Sequence, residues 1–174
     1  MSASLSANQF GALHRSLAED GGFTVSPFTG EPVTSGISVA PDGNELRIPA
    51  ADTSPGALRA YHESADNQQR FGRGASFGGW RDDNSGDDFI DTPTVYEDTP
   101  SGQSRARNQM LKSNQIAAYN IGPGHTLINP FHPENKSLDI VSSDDSPEQQ
   151  AAWRDMPRRQ TKGSRVELRG QSFS

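Results

Sequence analysis

Gly78-Gly79-Trp80-Arg81-Asp82-Asp83, Phe89-Ile90-Asp91 and Ile116-Ala117-Ala118-Tyr119-Asn120-Ile121 carry the fold of this chain. Between the second and third lies a polar stretch that starts at Thr99-Pro100 and ends at Asn114-Gln115. Phe77 to Arg81 and Asp88 to Thr92 predict two strands joined by the turn-rich Asp82-Asp83-Asn84-Ser85-Gly86-Asp87. Proline at a first helical position loses no needed donor, and Thr99 before it supplies a cap. A helix from Pro100 follows, with Ala106 and Met110 stacked at i, i+4. Ile116 to Ile121 is a further strand, which Gly122-Pro123-Gly124-His125 turns toward Thr126-Leu127-Ile128.

Upstream, Ser6 and Gln9 stand at capping-box spacing. Phe10, Leu13 and Leu17 then recur on one helical face until Gly21-Gly22 stops the run, which predicts a helix over 7–19. That stripe suits packing on the domain or docking on a partner. Phe23-Thr24-Val25 reads as a strand. Ile37 and Val39, the turn Pro41-Asp42-Gly43-Asn44, and Leu46-Arg47-Ile48 read as a β-hairpin. Ser54-Pro55 opens a second helix, with Leu58, Tyr61 and Ala65 on its apolar face, running to about residue 69. Gly21-Gly22-Phe23 and Gly78-Gly79-Trp80 echo each other, and helix starts at Ser54-Pro55 and Thr99-Pro100 follow them. Two ββα-like units or plain coincidence both fit that echo.

The expected fold class is therefore α+β: a small antiparallel sheet with about three short helices. Residues 1–19 form an N-terminal amphipathic helix, 20–130 a compact domain, and 131–174 an extended charged arm. Composition supports the arm. Apolar residues make up 31% of the 174, and seventeen Gly and twelve Pro favour turns over core.

A net charge of −6 excludes a globally basic nucleic-acid binder. The chain has no cysteine, which removes disulfides, thiolate catalysis and cysteine-bound zinc. No run approaches the ~20 apolar residues of a membrane span, and no signal-peptide pattern opens the chain. The host cytoplasm, or a virion, is the expected location.

No catalytic constellation is legible, and no cofactor is expected. His14, His62, His125 and His132 lack metal-ligand spacing. The acidic turn is the metal candidate, because Asp82, Asn84, Asp87 and Asp88 bring several oxygens to a sharp bend. A standard calcium loop fails there, since the twelfth position from Asp82 is Pro93. A plain hairpin turn accounts for the same residues, and the acids from Asp82 to Asp98 also admit a general acid/base pair. In the arm, Arg154, Arg158, Arg159, Lys162, Arg165 and Arg169 suit phosphate contacts or an acidic protein surface, with Trp153 as an anchor. A protein partner or a homo-oligomer is the leading expectation. Nucleic acid through the arm is the alternative.

Gly79-Trp80, Asp82-Asp83, Phe89-Ile90-Asp91, Val95-Tyr96, Arg105-Ala106, Asn114-Gln115 and Ile116 to Ile121 together resemble a small uncharacterised family. Its members are encoded by bacteriophages and actinobacterial mobile elements. Gly21-Gly22-Phe23, Pro27, Thr29-Gly30 and Pro32-Val33-Thr34-Ser35-Gly36 are similar to that family's opening. The match spans roughly residues 20–121 and departs from the family at Gly122-Pro123-Gly124-His125 and in the arm. The resemblance implies a phage or mobile-element setting and names no reaction. It leads to the expectation of a non-enzymatic protein acting through protein contacts, as a virion component or an intracellular accessory factor.

Overall fold

The computed structural model describes residues 2–41, 43–129 and 132. Among them are four α-helices and eight strands in two antiparallel sheets, the α+β class expected from the sequence. The described residues divide into two compact units, 2–33 with 43–94, and 34–41 with 95–129. That division is finer than the single domain over 20–130 read from the sequence.

In the first unit, helix α1 (Ala7–Glu19) begins with the capping box its sequence predicts. The Ser6 hydroxyl accepts from the Gln9 N–H at 3.1 Å, and Gln9 Oε1 accepts from the Ser6 N–H at 2.8 Å. Strand β1 (Gly22–Val25) pairs with β4 (Phe77–Asp82), β4 with β5 (Asp87–Asp91), and β5 with β3 (Leu46–Pro49). The echoing segments turn out to be cross-strand neighbours, because Gly22 lies opposite Trp80 and Phe23 opposite Gly79. A Cβ on Gly22 would stand 2.6 Å from the Gly79 carbonyl oxygen, and one on Gly79 2.8 Å from the Phe23 ring. The glycines let β1 and β4 approach under an aromatic side chain.

One face of this sheet carries Phe77 and Ile90 into a core with Phe10, Leu13, Leu17, Leu58 and Phe71. Phe10, Leu13 and Leu17 are 1%, 6% and 0% exposed. Of the two roles the stripe allowed, the structure gives them core packing, and their apolar surface is withdrawn from any partner.

Two local readings change. The helix expected from Pro55 to about residue 69 is two helices, α2 (Pro55–Glu63) and α3 (Ala65–Gly72), meeting at Ser64. Ser64 is extended and caps α3, while side chains of α3 collect carbonyls left at the end of α2. Asn67 Nδ2 donates to the Tyr61 carbonyl at 2.6 Å, and Gln68 Nε2 to that of His62 at 2.8 Å. Serine and asparagine compete with the helical ladder in this way, so the break satisfies groups that a straight helix would leave to water. The hairpin expected between Ile37–Val39 and Leu46–Ile48 does not form. Strand β2 (Ile37–Val39) belongs to the second unit and β3 to the first, so the segment from Pro41 to Asn44 joins two sheets. Asn44 is drawn away from a hairpin by side-chain bonds to Tyr61, Asn67 and Thr92.

The second unit orders its strands β6 (Thr94–Tyr96), β2, β7 (Ala117–Asn120) and β8 (His125–Ile128). Helix α4 (Pro100–Lys112) starts as expected, with the Thr99 hydroxyl accepting from the Gly102 N–H at 3.1 Å. It buries Ala106, Met110 and Leu111 against Ile37, Val39, Ala118 and Leu127. Asn114 ends it at φ 48°, a left-handed conformation that asparagine tolerates better than most residues.

Candidate functional site

The first unit holds two arrangements that secondary structure alone does not require. One is the turn after β1. The Ser26 N–H donates to the Glu31 carbonyl at 2.8 Å and the Gly30 N–H to that of Ser26 at 2.9 Å. The Ser26 hydroxyl accepts from the N–H groups of Phe28 and Thr29, both at 3.3 Å. From outside the turn, Gln9 Nε2 of α1 donates to the Thr29 carbonyl at 2.7 Å. His62 of α2 sets its Nε2 2.9 Å from the Pro27 carbonyl. Two helices thus hold a turn whose tip, Phe28, is 38% exposed. Phe28 and Tyr119, in the second unit, are the large apolar residues left exposed among those described.

His62 is itself fully buried, with the Phe71 and Phe77 ring centroids 5.0 Å away and that of Phe10 at 5.4 Å. A carbonyl facing Nε2 fixes the proton there, so Nε2–H donates to Pro27 and Nδ1 is left as an acceptor without a partner. Burial pushes the imidazole below its usual 6.5. The folded state therefore resists a proton that the unfolded chain accepts, and stability falls as pH drops below about 6.5. It stops falling on this account once the folded imidazole also titrates. We expect His62→Gln to flatten that acid limb by up to ~1 kcal/mol per pH unit, measured by urea melts at pH 6.5 and 5.5. Equal slopes for the two proteins would show that His62 does not carry it.

The second arrangement is a polar cluster at the end of β5. Tyr61 donates its hydroxyl to the Asn44 carbonyl at 2.5 Å, and Asn44 Nδ2 donates to Asn67 Oδ1 and to Thr92 Oγ1. Next along the strand, Asp91 is 5% exposed. No described group hydrogen-bonds or ion-pairs with its carboxyl. Its Oδ1 lies 2.7 Å from where a Cβ of Gly78 would sit, so only glycine leaves it room. Leu46 opposes Ile90, which sets Glu45 across from Asp91 one step further along the antiparallel pair. Burial, and secondarily the Glu45 charge, push the Asp91 carboxyl up to about 8. Tyr61 is likewise raised above its usual 10, by burial and then by the Asp91 charge. At neutral pH Asp91 is a neutral acid, able to donate a proton or exchange it for a cation.

The acidic turn behaves otherwise. Asp82 Oδ1 accepts from the Asn84 N–H at 3.0 Å, and its Oδ2 from the Ser85 hydroxyl at 2.8 Å. Asp87 pairs with Arg47 at 2.7 Å, and Asp88 takes two bonds from Arg81 at 2.8 and 3.1 Å. These oxygens close the hairpin and join neighbouring strands. Among the described residues no three His, Asp or Glu side chains gather as metal ligands. Trp153, Arg154, Arg158, Arg159, Lys162, Arg165 and Arg169 lie outside the described residues.

Neither Phe28 nor Asp91 stood out in the sequence. Phe28 sits among turn formers. The signal for Asp91 was an acid closing the apolar pair Phe89-Ile90 inside a strand, where burial on both faces makes a charge costly. Among the described residues no helix is long and apolar enough to cross a membrane. No family model, curated protein or solved structure matches the chain.

Proposed function

We propose that this chain is a non-enzymatic protein of a bacteriophage or mobile element that works by binding another protein, with Phe28 as its central contact. The observation that carries this reading is the rigid presentation of Phe28. An exposed aromatic on a turn already held by two helices loses little conformational freedom on docking. Such residues supply most of the energy of small interfaces when they enter an apolar pocket on the partner. The residues that resemble the phage and mobile-element family include this turn and its flanks, Pro27, Thr29-Gly30 and Pro32 to Gly36, which supports placing the contact here. Virion assembly and intracellular accessory roles both use such a contact.

Replacing Phe28 with a photoreactive benzoylphenylalanine tests the reading in the native host. Irradiation is expected to give one discrete protein adduct at position 28. The same probe at Ala60, exposed on α2, should give none. Phe28→Ala should lower recovery of that partner about tenfold or more, as loss of a hot-spot aromatic does, with an unchanged melting temperature. Matching adducts at positions 28 and 60 would refute the proposal. Recovery of the adduct partner from purified particles, or only from host lysate, separates the virion role from the accessory one.

A further inference from the structure

Side chains alternate across a strand, so Asp87, Phe89 and Asp91 of β5 share one face of the first sheet. Opposite them on that face stand Arg47 and Glu45 of β3, and Trp80 and Gly78 of β4. It is the face turned away from Phe77 and Ile90. Trp80 stacks on Phe89 at 4.6 Å with an interplanar angle of 12°. The Arg47 guanidinium lies 4.9 Å from the Phe89 ring centroid while its Nε bonds Asp87. One carboxylate two residues from Phe89 thus already holds a guanidinium against the aromatic pair. Asp91, two residues from Phe89 in the other direction, faces a second carboxylate and has no cation of its own.

We propose that Asp91 and Glu45, beside the Trp80–Phe89 stack, form a binding site for an organic cation bearing a guanidinium or ammonium group. A cation relieves the repulsion between two carboxylates set across from each other, which no anion or neutral ligand does. Aromatic faces next to the acids suit a polarisable organic cation. Calcium takes about six to eight oxygens, more than this pair supplies, and no third acidic or histidine ligand gathers here among the described residues. The charged and titratable groups around Asp91 are Glu45 from β3 and Tyr61 from α2, with Arg70 of α3 acting on Tyr61. The site is separate from Phe28 and does not depend on the role proposed for it.

Calorimetric titration of the full chain with methylguanidinium chloride tests the site, with sodium chloride at equal ionic strength as the blank. Asp91 carries its proton below pH 8, so binding at pH 6.5 should release close to one proton, read from heats in two buffers of different ionisation enthalpy. Affinity should rise up to about tenfold per pH unit until Asp91 ionises. Asp91→Asn should abolish saturable binding while near-ultraviolet circular dichroism stays unchanged. A short arginine-containing peptide distinguishes the two sources of the group. Tighter binding of the peptide identifies a protein side chain as the ligand, equal affinity identifies a free small cation, and both support the site. Binding without proton release, undiminished binding to Asp91→Asn, or no saturable binding at pH 8.5 would overturn it.

Discussion

Asp91→Asn is expected to make the protein more stable at pH 8 than the natural chain. The Asp91 carboxyl is 5% exposed and held up to about 8, against about 3.8 when unfolded. Below pH 4 both states keep the proton and the shift contributes nothing adverse. Between about pH 4 and 8 the unfolded chain ionises freely while the folded one does not, so stability falls as pH rises. Four pH units of that imbalance correspond to roughly 5 kcal/mol at pH 8. Asparagine removes the penalty but leaves a buried amide without a partner, which costs about 1–3 kcal/mol. The net gain should be about 2–4 kcal/mol at pH 8, shrinking and then reversing toward pH 4. Urea unfolding of both proteins across that range provides the measurement. Parallel curves for the two would mean that Asp91 ionises normally in the fold.

Gly102→Ala should do the opposite, and at any pH. Gly102 is the third residue of α4, where alanine would ordinarily add up to ~1 kcal/mol of helix stability. Here its Cβ would stand 1.9 Å from the Glu97 carbonyl oxygen and 2.8 Å from the carbonyl carbon. Both are backbone atoms with no rotamer to escape into, so the start of α4 must move off the strand-to-helix connection. That movement drags Ala106 and Met110, both 0% exposed, out of register with the sheet. A loss of about 3 kcal/mol is expected, at the upper end of the usual cost of overpacking. Gly11→Ala in α1 is the control, because its Cβ would meet nothing nearer than Arg15 Nη1 at 3.7 Å. That variant should be neutral or slightly stabilised, and a Gly102→Ala protein as stable as the natural one would contradict the geometry.

Helix starts were legible because capping is local. Ser6 with Gln9, Ser54-Pro55 and Thr99-Pro100 each place their oxygen and their ring within one turn of the donors they serve. The β4–β5 hairpin was legible for the same reason, since Asp82 organises its own turn. The segment Pro41 to Asn44 carries an equally good turn signal and makes no hairpin. A turn permits reversal, but which strand the chain meets next depends on partners far along the sequence. Here Asn44 is held by Tyr61, Asn67 and Thr92, 17 to 48 residues away.

The candidate sites divide in the same manner. Phe10, Leu13 and Leu17 were recognisable as an apolar stripe, and only the sheet beneath them shows that the stripe is core. The acids from Asp82 to Asp88 looked like one cluster, yet Arg47 and Arg81 on paired strands split them into separate ion pairs. Asp91 was one more acid in that run until strand pairing placed Glu45 across from it.

Sequence alone determined the α+β class, the helix caps, the central hairpin and the want of apolar residues beyond Phe131, because each depends on composition or on contacts within a few residues. Tertiary structure decided the division into two sheets, the burial of the α1 stripe, the fixed presentation of Phe28 and the isolation of Asp91. The physical reason is that exposure and charge partnership belong to neighbours in space. In this chain those neighbours arrive from 20 to 50 residues away.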